Sequence, residues 1–277
     1  MTAQNVQRIV AADNPELANK LVEQALAGVP STPQPEPVLP ERDLTPGDNM
    51  VVLPGGYINQ SGELITEVEV SELTGFAEED LARPMPLGKK FQTILEHAVE
   101  RVGTMDPNHE ILNRMLLGDR NAVLLAIRQL TYGNVELRGY YCPKCQETVD
   151  FDIDLRKDVP MVKLENPLKR GFTVSLPSGK DAEFTLYDGL TQVEVANAEG
   201  KSEAELTSLI LKNVVNSVGG MPVAGVDSVR RLSARDRKAL MATLNDHDFG
   251  PELDKIVKPC PSCGEDTDLP LNLGGLF

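Results

Sequence analysis

The chain has 277 residues, of which 41% are hydrophobic and 25% are charged, and its formal net charge is −15. This composition is that of a globular protein long enough for one large domain or two. The negative charge argues against binding to duplex nucleic acid, which requires clustered Lys and Arg. The sequence contains no apolar run of roughly 18 residues and opens without a signal-peptide pattern. We therefore expect a protein of the reducing cytosol that binds other proteins and no membrane.

Residues 1–49 predict an N-terminal arm outside the folded core. A short helix is predicted between Asn14, which can cap its start, and Gly28, which can end it. Six prolines between Pro30 and Pro46 then favour extended polyproline geometry. A short helix on an extended tether suits an arm that reaches a partner, and a disordered tail is the alternative.

From about residue 50 the sequence repeats itself at an interval of 116 to 118 residues. Ser61–Gly62 recurs as Ser178–Gly179, and each pair is followed by an alternating run that predicts a β-hairpin. ILEHAVERVG at 94–103 then recurs as ILKNVVNSVG at 210–219. Both segments predict helices, because their apolar residues are spaced to form one buried face. The matching apolar positions are Phe91, Ile94, Leu95, Ala98, Val99 and Val102 in the first copy and Thr207, Ile210, Leu211, Val214, Val215 and Val218 in the second.

A second helix is predicted in each copy. DRNAVLLAI at 119–127 recurs as DRKALMATL at 236–244, and Gly133 and Gly250 follow as candidate helix ends. Asp119–Arg120 and Asp236–Arg237 open these helices, where an aspartate is favourable in the first turn. The series ends in a Cys-Pro-x-Cys knuckle and an alternating strand pattern, at 149–155 and again at 267–273.

The two knuckles contain all four cysteines of the chain, Cys142, Cys145, Cys260 and Cys263. A structural zinc takes four tetrahedral ligands, so each knuckle supplies half a site. We predict that these four thiolates hold one structural Zn²⁺. Two free dithiols and two redox-active disulfides are the alternatives. A redox Cys-x-x-Cys motif opens a helix after a strand, whereas each knuckle here precedes a strand pattern.

The predicted fold is therefore α+β, with two tandem, duplicated hairpin–helix–helix–Cys-knuckle–strand units that share one zinc. The predicted domains are the Pro-rich arm at 1–49, a first repeat unit at 50–163 and a second at 164–277. Because metal binding is worth roughly 10–16 kcal/mol in small zinc modules, we expect the zinc to hold the two units in place.

No pattern in the sequence indicates catalysis. Four cysteines close the zinc shell, and there is no phosphate-binding glycine motif or nucleophile elbow. None of the histidines stands in a ligand-spaced pair. His97 is predicted on the polar side of its helix, and His109 has no assigned role. His247 is predicted in a loop, with a contact to the second knuckle as the alternative. The acidic stretch FAEEDLA at 76–82 predicts a solvated face, or a face that docks onto a basic partner. We expect no enzyme.

Several strings together resemble the T-even-like baseplate hub family of contractile-tailed bacteriophages. They are ELTGFAEEDLA, MLLGDRNAVLLAIRQLTYG followed by CPKC, LRKDV, LPSGK, CPSCG and the final Phe. The resemblance covers residues 50–277 and implies a structural or assembly protein near the hub and tail tube. It implies partners among baseplate, hub and tail-tube proteins in a multi-subunit assembly, in the host cytoplasm and then in the virion tail.

The alternative from a different class is a zinc-ribbon protein that binds nucleic acid or regulates transcription. Such proteins usually carry basic or aromatic residues near the knuckles. Here only Lys144 and Lys258 stand among acidic residues, which are Glu147, Asp150, Asp152, Asp154, Glu265, Asp266 and Asp268. A polyanion would be repelled, so we expect no nucleic-acid binding.

Overall fold

The computed structural model describes residues 49–198 and 200–277. All of them belong to one compact unit. The predicted arm at 1–49 lies outside the described residues except for Asn49. In the described residues, no helix is long and apolar enough to span a membrane. Helices and small antiparallel sheets are mixed along the chain, as the α+β prediction requires.

The described residues form thirteen strands and eight α-helices, with two short 3₁₀ turns. The strands are β1 Met50–Ile58, β2 Leu64–Val70, β3 Val99–Val102, β4 Val135–Tyr141, β5 Thr148–Ile153, β6 Met161–Val162, β7 Gly171–Ser175, β8 Asp181–Thr185, β9 Val215–Val218, β10 Met221–Pro222, β11 Gly250–Pro251, β12 Val257–Pro259 and β13 Asp266–Asp268. The helices are α1 Gly75–Leu81, α2 Leu87–Ala98, α3 His109–Arg114, α4 Leu117–Tyr132, α5 Gly189–Ala196, α6 Glu203–Val214, α7 Val226–Arg230 and α8 Ala234–Asp246. The 3₁₀ turns are Leu253–Lys255 and Leu273–Leu276.

The predicted hairpins are confirmed in both halves, and so are the predicted helices except for the last residues of the first helix in each half. Strands β1 and β2 pair antiparallel around Ser61–Gly62, and β7 and β8 do so around Ser178–Gly179. The first predicted helix of each half is α2 or α6, and the second is α4 or α8. Each half therefore places its hairpin, then its helices, before its cysteine knuckle.

The two halves share an unusual passage from helix to strand. Helix α2 runs directly into β3, because Val99 leaves the helix with φ −84° and ψ 118°. Helix α6 runs into β9 in the same way at Val215, with φ −88° and ψ 119°. Each strand then pairs with the second strand of its own hairpin, with one register shift at the matching place. In each half, the apolar residues of the helix and those of the following strand thus pack against the same core.

Three apolar cores hold the fold together. The first lies between the β1–β2–β3 sheet and helices α2 and α4, and it includes the fully buried Ile94 and Leu95. The second lies between the β7–β10 sheet and helices α6 and α8. Helix α6 buries Leu211 and Val214 as predicted, and Val215 is buried at the start of β9, while Ile210 and Val218 are only partly buried. The second core is thus the less enclosed of the two.

The third core joins the two halves beneath the knuckles. Its members come from helix α4 and the first knuckle region and from the C-terminal region: Leu125, Phe151, Ile153, Leu155, Val159, Ile256, Leu269 and Leu276. Strands β6 and β11 also pair across the halves, at Val162 with Gly250 and Met161 with Pro251. Burial of apolar surface is the main favourable term in folding, so these contacts link the halves independently of any metal.

Three details of the sequence prediction are wrong. The segments at 94–103 and 210–219 are helical only as far as Ala98 and Val214, and Val99–Val102 and Val215–Val218 are strands. Gly133 does end helix α4, with a φ of 72°, but Gly250 does not end helix α8. That helix ends at Asp246, and Gly250 lies in β11, where a side chain would collide with the backbone of Gly118. The predicted strand at 267–273 is also shorter, since β13 covers only Asp266–Asp268. Pro270 lacks the N–H that would continue the ladder.

Candidate metal centre

The first knuckle is a tight turn between strands β4 and β5. The Cys142 N–H donates to the Glu147 carbonyl at 2.9 Å, and the Gln146 N–H donates back to the Cys142 carbonyl at 2.9 Å. This pair of bonds closes the loop around Pro143 and points the Cys142 and Cys145 side chains to one side, where their sulfurs meet.

The second knuckle has the same hydrogen bonds, between strands β12 and β13. The Cys260 N–H donates to the Glu265 carbonyl at 2.9 Å, and the Gly264 N–H donates to the Cys260 carbonyl at 2.8 Å. Each of these residues stands 118 positions after its counterpart in the first knuckle. The two turns are therefore built alike, as the Cys-Pro-x-Cys spacing predicts.

Both turns require a left-handed residue after their second cysteine. Gly264 has a φ of 76° at this position, and Gln146 has a φ of 64°. Gln146 is the only residue other than glycine with a positive φ among the described residues. A side chain in this region costs energy that glycine avoids. The left-handed conformation of Gln146 is therefore unfavourable by itself, and other contacts of the first knuckle must stabilise it.

The four sulfurs converge on one point. All four Sγ atoms lie within 4.8 Å of one another, and the Sγ atoms of Cys145 and Cys260 are 3.9 Å apart. A tetrahedral metal–thiolate site with bonds of about 2.3 Å separates its sulfurs by about 3.8 Å, whereas a disulfide requires about 2.05 Å. All four cysteines are free thiols in this arrangement. Their geometry therefore fits one bound metal ion and no disulfide.

The electrostatics of the cluster also favour a cation. Backbone N–H groups of Cys145 and Lys144, opposed by burial, lower the pKa of Cys142 to about 6. The Glu265 N–H lowers the pKa of Cys263, but burial and the neighbouring cysteines outweigh it and raise the value to about 12. One thiolate thus forms readily, and each further negative charge is unfavourable without a positive ion at the centre.

The cysteines are enclosed unevenly. Cys142 and Cys260 are buried, Cys145 is half-buried and Cys263 is exposed. The buried pair are the first cysteines of their knuckles, and each directly follows a strand, β4 or β12. A metal ion held here would be enclosed on the side of Cys142 and Cys260 and open to solvent on the side of Cys263.

Polar contacts across the two knuckles were not predicted from the sequence. The Tyr140 hydroxyl donates to the Asp268 carbonyl at 3.0 Å, and Lys258 Nζ donates to the Asp152 carbonyl at 2.6 Å. The Ser262 hydroxyl donates to the Glu147 carboxylate. Tyr140 and Lys258 each stand two residues before the first cysteine of a knuckle. These matched positions were the only feature of the sequence that could have pointed to the contacts. The sequence does not indicate that the Tyr140 and Lys258 side chains contact the opposite half.

The histidines take no part in this cluster. His97 is on the surface, as predicted, with Nε2 at 3.1 Å from Asp80. His109 contacts Glu96 at 2.7 Å. His247 does not approach a knuckle cysteine but packs its ring at 4.1 Å from that of Phe172. In the part of the chain that the structure describes, the four cysteines form the only cluster of three or more metal-ligating side chains.

The Asp-Arg pairs do more than open their helices. Asp119 is buried, and its Oδ1 accepts bonds from the Gly55 and Gly56 N–H groups at 2.7 and 3.2 Å. Arg120 is fully buried and donates to Gln192, Leu112 and Gln92. Burial lowers the pKa of Arg120 to about 10, which leaves it charged at neutral pH. Sequence reasoning assigned a helix start here and missed this buried network, which joins the first half to helix α5.

The comparisons with known proteins add no assignment. No protein-family model matches the chain, and no curated protein or solved structure matches it.

Proposed function

We propose that this chain is a non-enzymatic structural or assembly component of a phage tail baseplate, built from two duplicated halves around one structural zinc. The observation that carries the proposal is the convergence of two knuckles with the same Cys-Pro-x-Cys spacing, one from each half, on a single four-sulfur site. The baseplate assignment rests on the resemblance of residues 50–277 to the T-even-like hub family. Its partners are then other baseplate, hub and tail-tube proteins.

Zinc is the metal that best suits four thiolates. A Cys₄ set is the typical shell of a structural zinc, which has no preferred geometry of its own and accepts a tetrahedron. With all four positions taken by protein, the ion has no place for water or substrate, so it supplies stability and no catalysis. Cys142, Cys145, Cys260 and Cys263 are the proposed ligands.

Duplication is supported by hydrogen bonds that match between the halves. The hairpin turn is closed by Gly62 N–H to Asn59 carbonyl in the first half and by Gly179 N–H to Leu176 carbonyl in the second. Farther along, Arg120 donates to Gln92. Its counterpart Arg237 donates to Ser208, which takes the place of Gln92 on the preceding helix. In both pairs the matching residues stand 116 or 117 positions apart, as a duplication predicts.

The apolar core beneath the knuckles supports a structural role. If zinc were lost, the third core and the β6–β11 pair would still connect the halves. The zinc therefore stiffens a junction that already exists, and it holds the loops of both halves in one fixed surface. A fixed surface with contributions from both halves is what a subunit of a large assembly needs.

The nucleic-acid alternative finds no support at the knuckle surface. Lys258, one of the two nearby lysines, is engaged by Asp158 at 2.6 Å and by the Asp152 carbonyl. The exposed carboxylates of Glu147, Asp150 and Glu265 surround the site. Phosphate backbones bind through free Lys and Arg, so this surface would repel them.

Two measurements test the proposal. Elemental analysis of reduced, full-length protein should give one zinc per chain; two metals or none would reject the shared site. A tagged chain expressed in infected cells should then co-purify with baseplate, hub and tail-tube proteins. The Cys142→Ser variant is the matched control and should enter fewer such complexes. Salt-sensitive retention on DNA without tail proteins would favour the alternative.

A further inference from the structure

Helix α1 presents an unpartnered aromatic side chain beside acidic ones. Phe76 is 80% exposed, which makes it the most exposed large apolar side chain of the described residues. Ala77, the next residue, is fully buried, so the helix packs on the body through Ala77 and leaves Phe76 in solvent. Glu78 and Glu79 are exposed, and neither carboxylate has a partner within the described residues. We call Phe76, Glu78 and Glu79 the α1 knob.

A groove of complementary character lies in the second half, between helices α6 and α8. Its volume is about 530 Å³, and Ala204, Thr207, Leu232, Ala234 and Met241 supply an apolar floor. Lys238 and Glu203 also line the groove, as does Arg237, which donates to the Ala204 carbonyl. We call this feature the α6–α8 groove. Its size is within the range of pockets that bind side chains or small ligands.

The surroundings of the groove are basic although the chain has a net charge of −15. Arg231, Arg235 and Lys238 are exposed, and their side chains make no hydrogen bond or ion pair within the described ranges. Arg235 and Lys238 are three residues apart in helix α8, so they share one face. The groove thus combines an apolar floor with unpaired cations, and the α1 knob combines an exposed aromatic ring with unpaired carboxylates. The two surfaces are complementary in apolar character and in charge.

We infer that the α1 knob of one copy docks into the α6–α8 groove of a second copy. Phe76 fills the apolar floor, while Glu78 and Glu79 meet Lys238 in the groove lining and Arg235 one turn before it on helix α8. The two surfaces are different parts of the chain, so the contact is head-to-tail, and each copy that is bound still offers one free surface. The contact is independent of the metal site, because neither surface includes a knuckle residue.

The contact should be weak and salt-sensitive. One aromatic anchor with a few exposed ion pairs belongs to the small class of interfaces, so we expect association at about micromolar to 100 µM concentrations. Exposed charge pairs are screened by salt, so raising NaCl from about 0.05 M to about 0.5 M should weaken association. Sedimentation velocity of the full-length, zinc-loaded chain over this concentration range measures both effects.

Two variants remove one surface each. Phe76→Ser removes the knob, and the double change Arg235→Glu with Lys238→Glu removes the cations of the groove. All three side chains are exposed, so folding and metal content should match wild type by circular dichroism and elemental analysis. Each variant alone should self-associate about tenfold or more weakly than wild type.

Mixing the two variants gives the decisive result. The groove variant still has an intact knob, and the knob variant still has an intact groove. An equimolar mixture should therefore form a 1:1 dimer and no larger species. Wild-type protein should form dimers and larger species under the same conditions. A wild type that stays monomeric, variants that associate like wild type, or a mixture that stays monomeric would each overturn the proposal. Binding of an unrelated acidic protein to the groove in place of a second copy would overturn it too.

Discussion

The two halves of this molecule share a chain order but differ in how deeply they bury the same residues. Arg120 and Asp119 are fully enclosed in the first half. At the matching positions, Asp236 is also buried and accepts a bond from the Ser178 N–H, whereas Arg237 is partly exposed. The first half buries this pair because Leu112, Gln92 and helix α5 close over it. The aspartate is thus buried in both halves, whereas the arginine is buried in a network in the first half and partly exposed in the second.

The difference shows that burial, and not residue type, sets the energetic weight of a polar side chain. A buried charged group must keep its partners, whereas an exposed one can exchange them for water. Substitutions at matched positions should therefore have unequal effects, and the comparison can be tested position by position.

The largest effect should come from the site that the halves share. Cys260→Ser and Cys142→Ser each leave three thiolates, which bind a metal ion less tightly. We expect both variants to lose the metal and to melt lower by about 10 °C or more, with secondary structure largely retained by the three apolar cores. Metal analysis and circular dichroism melts measure this. Ser262→Ala, inside the same knuckle, is the control and should keep its metal; a Cys260→Ser protein with a full metal content would contradict the shared site.

The second-largest effect should come from the two matched arginines, whose removal should destabilise the protein to different extents. Arg120→Met leaves three buried acceptors without a donor, so the free energy of unfolding should fall by about 3–5 kcal/mol. Arg237→Met loses bonds to Ala204 and Ser208 at a partly exposed position and should cost about 1 kcal/mol. Urea unfolding at saturating zinc gives both numbers. Equal losses would mean that the two halves bury this position alike.

The two aspartates should give opposite pH dependence. Burial raises the pKa of Asp119 from 3.8 to about 6, despite the Gly55 and Gly56 N–H donors. Its carboxyl is therefore a stabilising, neutral group below about pH 4, and this contribution of about 3 kcal/mol is lost as the pH rises to about 6. Asp119→Asn should remove that loss. The measurement is the unfolding free energy of wild type minus that of the variant between pH 4 and pH 7.

Asp236 is the matched control for this pH profile. Burial raises the pKa of Asp236, but bonds from Ser233 and Ser178 outweigh it and lower the value below 3.8. Its contribution is present above that pH and disappears as the pH falls through the lowered pKa. Asp236→Asn should therefore alter stability only in acid. A profile for Asp236→Asn that resembles that of Asp119→Asn would contradict the opposite pKa shifts of the two aspartates.

The smallest effect should come from the residue after each second cysteine. Gln146→Gly relieves a left-handed side chain and should stabilise the protein by about 0.5–1 kcal/mol, with metal content unchanged. Gly264→Gln makes the reverse change in the other knuckle and should destabilise it by about 1 kcal/mol. Thermal melts of the two single variants and of the double variant measure both. Shifts of the same sign in both single variants would show that the turns are not equivalent.

Local patterns in the sequence were enough to predict much of this protein. The spacing of apolar residues located helices α2, α4, α6 and α8, and the Ser-Gly turns located both hairpins. The cysteine spacing correctly brought Cys142, Cys145, Cys260 and Cys263 together, since a four-coordinate metal needs both knuckles at one point. These features depend on residues close in the chain, or on a chemical rule that pairs distant ones.

The tertiary structure alone decided which of the repeated residues are buried and how the halves join. Gly250 became part of a strand because Gly118 packs against it, and Arg120 became a buried cation because helix α5 covers it. The third core and the contacts of Tyr140 and Lys258 likewise join residues more than a hundred positions apart. A repeated pattern records local periodicity, whereas burial depends on what the rest of the chain places against each copy.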